Sequence, residues 1–224
     1  MALTDTQMKP TFIGMLNYLA DTLEVDPVYD WILEETRARG VPEMNVTPEQ
    51  GRILHLLARL VNAQKILEVG TLSGYSGVWL ARALAEGGRM ITCEMNPRHA
   101  TLARDSFERA GVADRVELHV GPALETLAEL DLDGDLDMVL IDADKPNNWA
   151  YFEFAEKHTR SGGLIVVDNI FLNGRVVAAE SDYMRDLDAF NRHVFDRYGD
   201  AALTIPFYKK EEDNLDGMLI VRMP

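Results

Sequence analysis

The sequence predicts an α/β fold: a doubly wound, seven-stranded, mostly parallel sheet with an antiparallel edge strand and extra N-terminal helices. Three observations predict it. Short apolar runs alternate with helical patterns from residue 65 onward, as parallel strands joined by crossover helices require. The last two apolar runs have no helix between them, so they pair antiparallel at one edge. Helical patterning precedes the first strand. At 224 residues the chain suits one domain and is short for two. We divide it into a helical cap over residues 1–43 and a core over residues 44–224.

Residues 10–23 and 27–39 read as two helices. Thr47-Pro48-Glu49-Gln50 is a helix start, with Thr47 as N-cap, Pro48 at the first position and Gln50 three residues after the cap. Ile53, Leu54, Leu56, Leu57, Leu60 and Val61 then follow helical spacing. Strands are expected over residues 65–69, 89–93, 115–120, 136–141, 164–167, 202–205 and 218–222. Helices are expected over 74–85, 97–110, 122–130, 147–159 and 181–198, and a polar loop over 209–214.

The formal charge is −15 and the sequence pI about 4.7. Such a field repels a phosphate backbone, which disfavours nucleic-acid partners, and it is compatible with cation binding. No run of about 18 apolar residues suggests a membrane span. The first ten residues carry no export signal, so a cytoplasmic setting is expected. Cys93 is the one cysteine, which excludes an internal disulfide and a cysteine-based zinc site. It lies in an apolar run and reads as a buried strand residue.

Strand one runs into Glu68-Val69-Gly70-Thr71-Leu72-Ser73-Gly74-Tyr75-Ser76. Glycines at a strand-to-helix turn let backbone approach a ligand, and the helix start offers free N–H groups. The spacing Gly-x-x-x-Gly differs from the dinucleotide fingerprint Gly-x-Gly-x-x-Gly. Glu94 ends strand two, where an acidic residue can accept both ribose hydroxyls; it could instead cap the helix beginning near Pro97. The glycine turn upstream favours the ribose reading.

Two further strands end alike, in Asp142 and in Asp168-Asn169. If these strands are neighbours, the two carboxylates meet at the carboxyl edge of the sheet. There they repel each other unless a proton or cation lies between them. The all-oxygen set Asp142, Asp168 and Asn169 suits Mg²⁺, Mn²⁺ or Ca²⁺. The alternative is a pair of ordinary strand-end carboxylates bonded to nearby turns. Lys145, three residues beyond Asp142, can serve as a general base over the same cleft or pair with Asp144 at the surface. The five histidines fall singly on helices and a strand and read as structural or solvated.

Together these residues resemble the cation-dependent O-methyltransferases, the group containing plant caffeoyl-CoA O-methyltransferases, bacterial relatives and, more distantly, animal catechol O-methyltransferase. The resemblance runs from about Met44 to the C-terminus. Its marks are Val46-Thr47-Pro48-Glu49-Gln50-Gly51, Leu67-Glu68-Val69-Gly70-Thr71 with Gly74-Tyr75-Ser76, Gly121-Pro122-Ala123, Ile141-Asp142-Ala143-Asp144-Lys145, and Val167-Asp168-Asn169 with Gly174-Arg175-Val176.

The resemblance implies a Rossmann-like class I methyltransferase core that uses S-adenosylmethionine. It implies Met44, Val46, Glu68, Gly70, Thr71, Ser76, Glu94, Ala123 and Asp142 around that cofactor. It implies a divalent cation, Mg²⁺ first, on Asp142, Asp168 and Asn169, with Lys145 as base beside Asp142. It also implies a small aromatic diol as acceptor, a catechol or caffeoyl-like compound, and a homodimer. Leu172 stands where many relatives carry tryptophan, and residues 208–216 are unusually charged; both bear on acceptor choice. Three alternatives remain: methylation of a hydroxylated tRNA base, nicotinamide-dependent dehydrogenation, and cofactor binding without catalysis. The charge opposes the first, the glycine spacing the second, and the complete set Asp142, Lys145, Asp168 and Asn169 the third.

Overall fold

The computed structural model describes residues 14, 15, 18, 22, 24–130, 132, 136–209 and 214–224. The first expected helix, residues 10–23, falls largely outside the described residues, as does the tip of the polar loop at residues 210–213. Counted among the described residues, the elements are α1 (Pro27–Ala38), α2 (Pro48–Leu60), β1 (Lys65–Val69), α3 (Tyr75–Ala83), β2 (Arg89–Glu94) and α4 (Pro97–Arg109). They continue with β3 (Val116–Val120), α5 (Ala123–Glu129), β4 (Leu136–Ile141), α6 (Asn148–His158) and β5 (Thr159–Val167). The chain closes with α7 (Asp182–Tyr198), β6 (Ala202–Lys209) and β7 (Asn214–Arg222).

One seven-stranded sheet has the order β3-β2-β1-β4-β5-β7-β6. All neighbours are parallel except β5 with β7 and β6 with β7. Residues along the central strands alternate between two cores. Met138, Leu140, Leu164 and Val166 pack with α1 to α4, while Val139, Ile141, Ile165 and Val167 pack with α5 to α7. Helices therefore cover both faces, which is why residues 138–141 and 164–167 are apolar at every position. Tyr29 of α1 stacks on Trp79 of α3 with ring centroids 4.2 Å apart, so α1 shares the first core.

Three strands are longer than their apolar runs suggest. β5 begins at Thr159, which pairs with Leu136 of β4 across a register irregularity, while Gly162 and Gly163 exchange backbone hydrogen bonds with Met223. β6 and β7 extend as a hairpin to the pair Lys209 and Asn214. Pro206 does not stop β6, because β6 is an edge strand and needs no N–H donor on its outer side.

The helix starts follow local side-chain chemistry. Thr47 accepts from the Gln50 N–H, and Gln50 Oε1 accepts from the Thr47 N–H at 2.9 Å, a complete capping box. Asp26, Asn96 and Ser181 cap α1, α4 and α7. Thr47→Ala removes one half of the α2 box and should lower unfolding free energy by about 1 kcal/mol. Urea denaturation checks this, and an unchanged midpoint would show that the cap contributes nothing.

Candidate active site

Between β1 and β4 the strand order reverses, and the turns leaving these strands diverge to opposite sides of the sheet. Ligands of such sheets bind at this switch point, outside the carboxyl ends of the strands. Here the turn after β1 presses on the end of β4. Gly70 has φ +97°, and a Cβ on it would lie 2.1 Å from the Asp142 carbonyl oxygen. Gly70 is thus required by the approach of the two strand ends, a stricter demand than closeness to a ligand. Gly74, at φ +82°, opens α3 without a side-chain cap.

Glu68 is fully buried at the end of β1. Ser76 Oγ and Thr92 Oγ1 each donate to it at 2.6 Å. Burial pushes its carboxyl up to about 8; the two hydroxyls oppose this shift, and the charges of Asp142 and Glu94 add to it. Glu68 is therefore mostly protonated at neutral pH. Glu94 accepts from the Leu72 N–H and the Asn96 N–H, both at 2.8 Å, so it ties the glycine turn to the end of β2. The cap of α4 is Asn96, not Glu94. Glu94 and Asp142 supply the carboxylates of this edge, which suits a positively charged ligand.

The segment before α2 is fastened to the same turn: Ser73 Oγ donates to Asn45 Oδ1 at 2.6 Å. Its neighbours Met44 and Val46 are exposed and buried respectively. Thr71 shares a 2.6 Å hydrogen bond with Thr92. Ala123 begins α5, two residues after Gly121, whose N–H donates to the Glu94 carbonyl. The expected cofactor residues thus converge on one edge from six segments.

β4 and β5 are neighbours, in register through Ile141 and Val167. Asp142 and Asp168 therefore leave adjacent strand ends. Asp168 is 1 % exposed, and Gln50 Nε2 donates to its two carboxylate oxygens at 3.1 and 3.2 Å. Lys145 is buried; its Nζ donates to the Asp168 carbonyl at 2.8 Å and stands 3.8 Å from Asp142 Oδ1. It is not the surface partner of Asp144, which instead accepts from Asn147 and from the Tyr151 hydroxyl. Asn169 follows at φ +56°, a left-handed conformation that asparagine tolerates better than most residues.

No cluster of three or more His, Cys, Asp or Glu side chains suited to a metal occurs among the described residues. The candidate set is of another kind, two carboxylates and a carboxamide on adjacent strand ends. Its all-oxygen chemistry fits a hard divalent cation. The histidines take no part: His55 bonds the Trp79 carbonyl, His99 and His119 pair with Glu94 and Glu117, His158 bonds the Leu132 carbonyl, and His193 lies against Trp149. Burial pushes the Cys93 thiol up to about 12, which removes it as a nucleophile.

Two groups that hold the site were not singled out from sequence. Gln50 was read only as a cap residue, yet it reaches Asp168 across 118 positions. Asp216 was read only as part of a charged stretch, yet it is 2 % exposed and accepts three backbone N–H groups. A buried carboxylate within a charged run carries no periodic signal.

The sheet order and the site at its carboxyl edge define a class I methyltransferase architecture. Residues 22–199 match the O-methyltransferase family. The chain is 46 % identical over 157 residues to a catechol O-methyltransferase of Mycobacterium tuberculosis, covering 70 % of this chain and 71 % of that one. It is 33 % identical over 190 residues to caffeoyl-CoA O-methyltransferase 1 of Zea mays, covering 76 % and 74 %. An O-methyltransferase of Bacillus cereus, solved in complex with SAH, superimposes with a TM-score of 0.84 at 36 % identity, covering 92 % of this chain and 96 % of that one. The chain belongs to the O-methyltransferase family.

The buried Glu68 gives a pH test. Its folded carboxyl holds a proton more tightly than the unfolded chain does. Its contribution to stability is therefore full below the usual glutamate range and is lost as pH rises through about 8. Glu68→Gln should remove this loss, gaining on the order of 3 kcal/mol relative to the native protein between pH 5 and pH 8. Parallel pH–stability curves for the two proteins would disprove the buried, protonated state.

Proposed function

We propose that this O-methyltransferase moves the methyl group of S-adenosylmethionine to one hydroxyl of a vicinal aromatic diol, a catechol or caffeoyl-type acceptor, with a divalent cation held by Asp142, Asp168 and Asn169. The observation that carries the reading is the meeting of Asp142, Asp168 and the buried Lys145 Nζ at one pair of strand ends. The names of the relatives support the acceptor class, and the cofactor complex of the Bacillus cereus enzyme supports the methyl donor. The formal charge of −15 speaks against a tRNA acceptor. The family likeness also carries a homodimer into this reading, and the cytoplasmic setting expected from the sequence is part of it; among the described residues no helix is long and apolar enough to cross a membrane. Sedimentation would test the dimer.

In this reading Met44, Val46, Glu68, Gly70, Thr71, Ser76 and Ala123 bound the cofactor, Glu94 accepts its ribose hydroxyls, and Asp142 faces its positive charge. S-adenosylmethionine supplies a methyl on a sulfonium, which departs as its electron pair stays on sulfur. A phenol attacks poorly while protonated, since tyrosine-like hydroxyls titrate near ~10. A cation held by Asp142, Asp168 and Asn169 would supply Lewis acidity toward the acceptor hydroxyls. Lys145 Nζ receives the phenolic proton as the new carbon–oxygen bond forms. The Asp168 carbonyl and Asp142 hold that amine in place. Gln50 keeps the Asp168 carboxylate oriented.

Methyl transfer from labelled S-adenosylmethionine to caffeic acid or catechol should require Mg²⁺ and stop with EDTA. Transfer indifferent to EDTA would remove the cation from the mechanism. Asp142→Ala should abolish nearly all activity and Mg²⁺ dependence together, and native rates in that variant would refute its role as ligand.

Lys145→Arg keeps the charge but cannot release a proton near neutral pH. It should cut kcat by about 10²–10⁴-fold while S-adenosylmethionine binding persists. Native kcat in this variant would show that another group takes the proton.

A further inference from the structure

We propose that Asp216 is a positioning residue for methyl transfer: its buried carboxylate holds the loop of residues 169–174 in the shape that sets Asn169 for the cation and Leu172 for the acceptor. The inference rests on the reading of Asn169 as a cation ligand given above.

The register places Asp216 beside this loop. β5 and β7 pair antiparallel with Val167 opposite Leu219. Past the end of β5 the pairing continues, and the Ile170 N–H donates to the Gly217 carbonyl at 3.1 Å. Asp216 Oδ1 accepts from the Phe171 N–H at 3.0 Å and from the Gly217 N–H at 2.8 Å, and Oδ2 accepts from the Asn173 N–H at 3.3 Å. From the other side of the loop, Asn191 Nδ2 of α7 donates to the Ile170 carbonyl at 2.8 Å.

The loop needs such restraint. Asn169, Leu172 and Asn173 have φ of +56°, +43° and +59°, and Gly174 follows at +77°. Left-handed conformations are unfavourable for residues with a Cβ, most of all for leucine among these, and they persist only where surroundings impose them. Asp216 supplies the imposing contacts at the middle of the run. The backbone beside it is equally close-fitted: a Cβ on Gly217 would lie 2.4 Å from the Phe171 ring. Asn169 sits between Asp168, oriented by Gln50, and Ile170, fixed from β7 and α7. The backbone on both sides of Asn169 is therefore fixed, and Asp216 holds the next part of the loop through Phe171 and Asn173. Groups that support a metal ligand from behind typically shift metal affinity or activity by about 10–100-fold when removed.

The two oxygens of Asp216 allow a graded test. Asp216→Asn retains one acceptor oxygen for Phe171 and Gly217 but sets an NH₂ against the Asn173 N–H. Asp216→Ala removes all three tethers. Hydrogen exchange of the peptide spanning residues 169–176 reads the loop with no ligand added, Mn²⁺ titration followed by electron paramagnetic resonance reads the cation site, and steady-state kinetics reads the acceptor. In Asp216→Asn the loop should exchange faster and the catechol KM rise about 10-fold, with Mn²⁺ affinity and kcat close to native. In Asp216→Ala, Mn²⁺ affinity should also fall about 10-fold or more, while S-adenosylmethionine affinity is kept. A folded Asp216→Ala protein with native Mn²⁺ affinity and native KM would overturn the proposal, whatever its melting temperature. If that variant does not fold, Asp216→Asn decides alone, and an unchanged KM overturns it. If the native protein binds no Mn²⁺, the cation reading falls, and the part of this inference concerning Asn169 falls with it. Exchange and KM in Asp216→Asn then still decide whether Asp216 holds the loop for the acceptor.

Discussion

The contact between the Gly70 backbone and the Asp142 carbonyl brings the ends of β1 and β4 together at the point where the sheet changes direction. The site depends on this approach. It sets the glycine turn against the strand that carries Asp142 and Lys145, and β5 then adds Asp168 and Asn169 alongside. A side chain at position 70 would separate the glycine turn from the strand ends that carry Asp142 and Asp168. The geometry of methyl transfer, in which donor and acceptor must meet in line, thus begins with the absence of one carbon atom.

Charge is handled differently at the two halves of this edge. At the end of β1, Glu68 is buried with hydroxyl partners and keeps its proton, so the low-dielectric interior holds no uncompensated charge there. At the ends of β4 and β5, a lysine, a carbonyl and a carboxamide surround two carboxylates. The first arrangement leaves Glu94 and Asp142 to meet a ligand that brings positive charge of its own. The second suits a small ion with fixed directions of approach.

The fold was legible because its strands and helices obey different periods, and the cap at Thr47 and the strand ends at Asp142 and Asp168 could be placed to the residue. Where the strands ran longer than expected, at residues 159–163 and at the β6–β7 hairpin, backbone pairing overrode polar or turn-forming sequence. Glu94 was ambiguous in sequence because a strand-end acid can cap or bind; Asn96 took the cap. The protonation of Glu68 could not be read, since it depends first on burial and then on hydroxyls and carboxylates arriving from three other segments. The same holds for Asp216, whose partners lie 43 and 45 residues away.

The capping box at the start of α2 has one consequence for which residues position 50 accepts. Capping boxes ordinarily use glutamate or glutamine at this place, because only an acceptor oxygen is needed to close the box. Here the same side chain must also donate, since its amide nitrogen reaches the buried carboxylate of Asp168. A glutamate would satisfy the helix and set a second negative charge against Asp168 in the protein interior. Two residues that are interchangeable for the local turn are therefore not interchangeable for the molecule, and the choice between them is made at the end of β5.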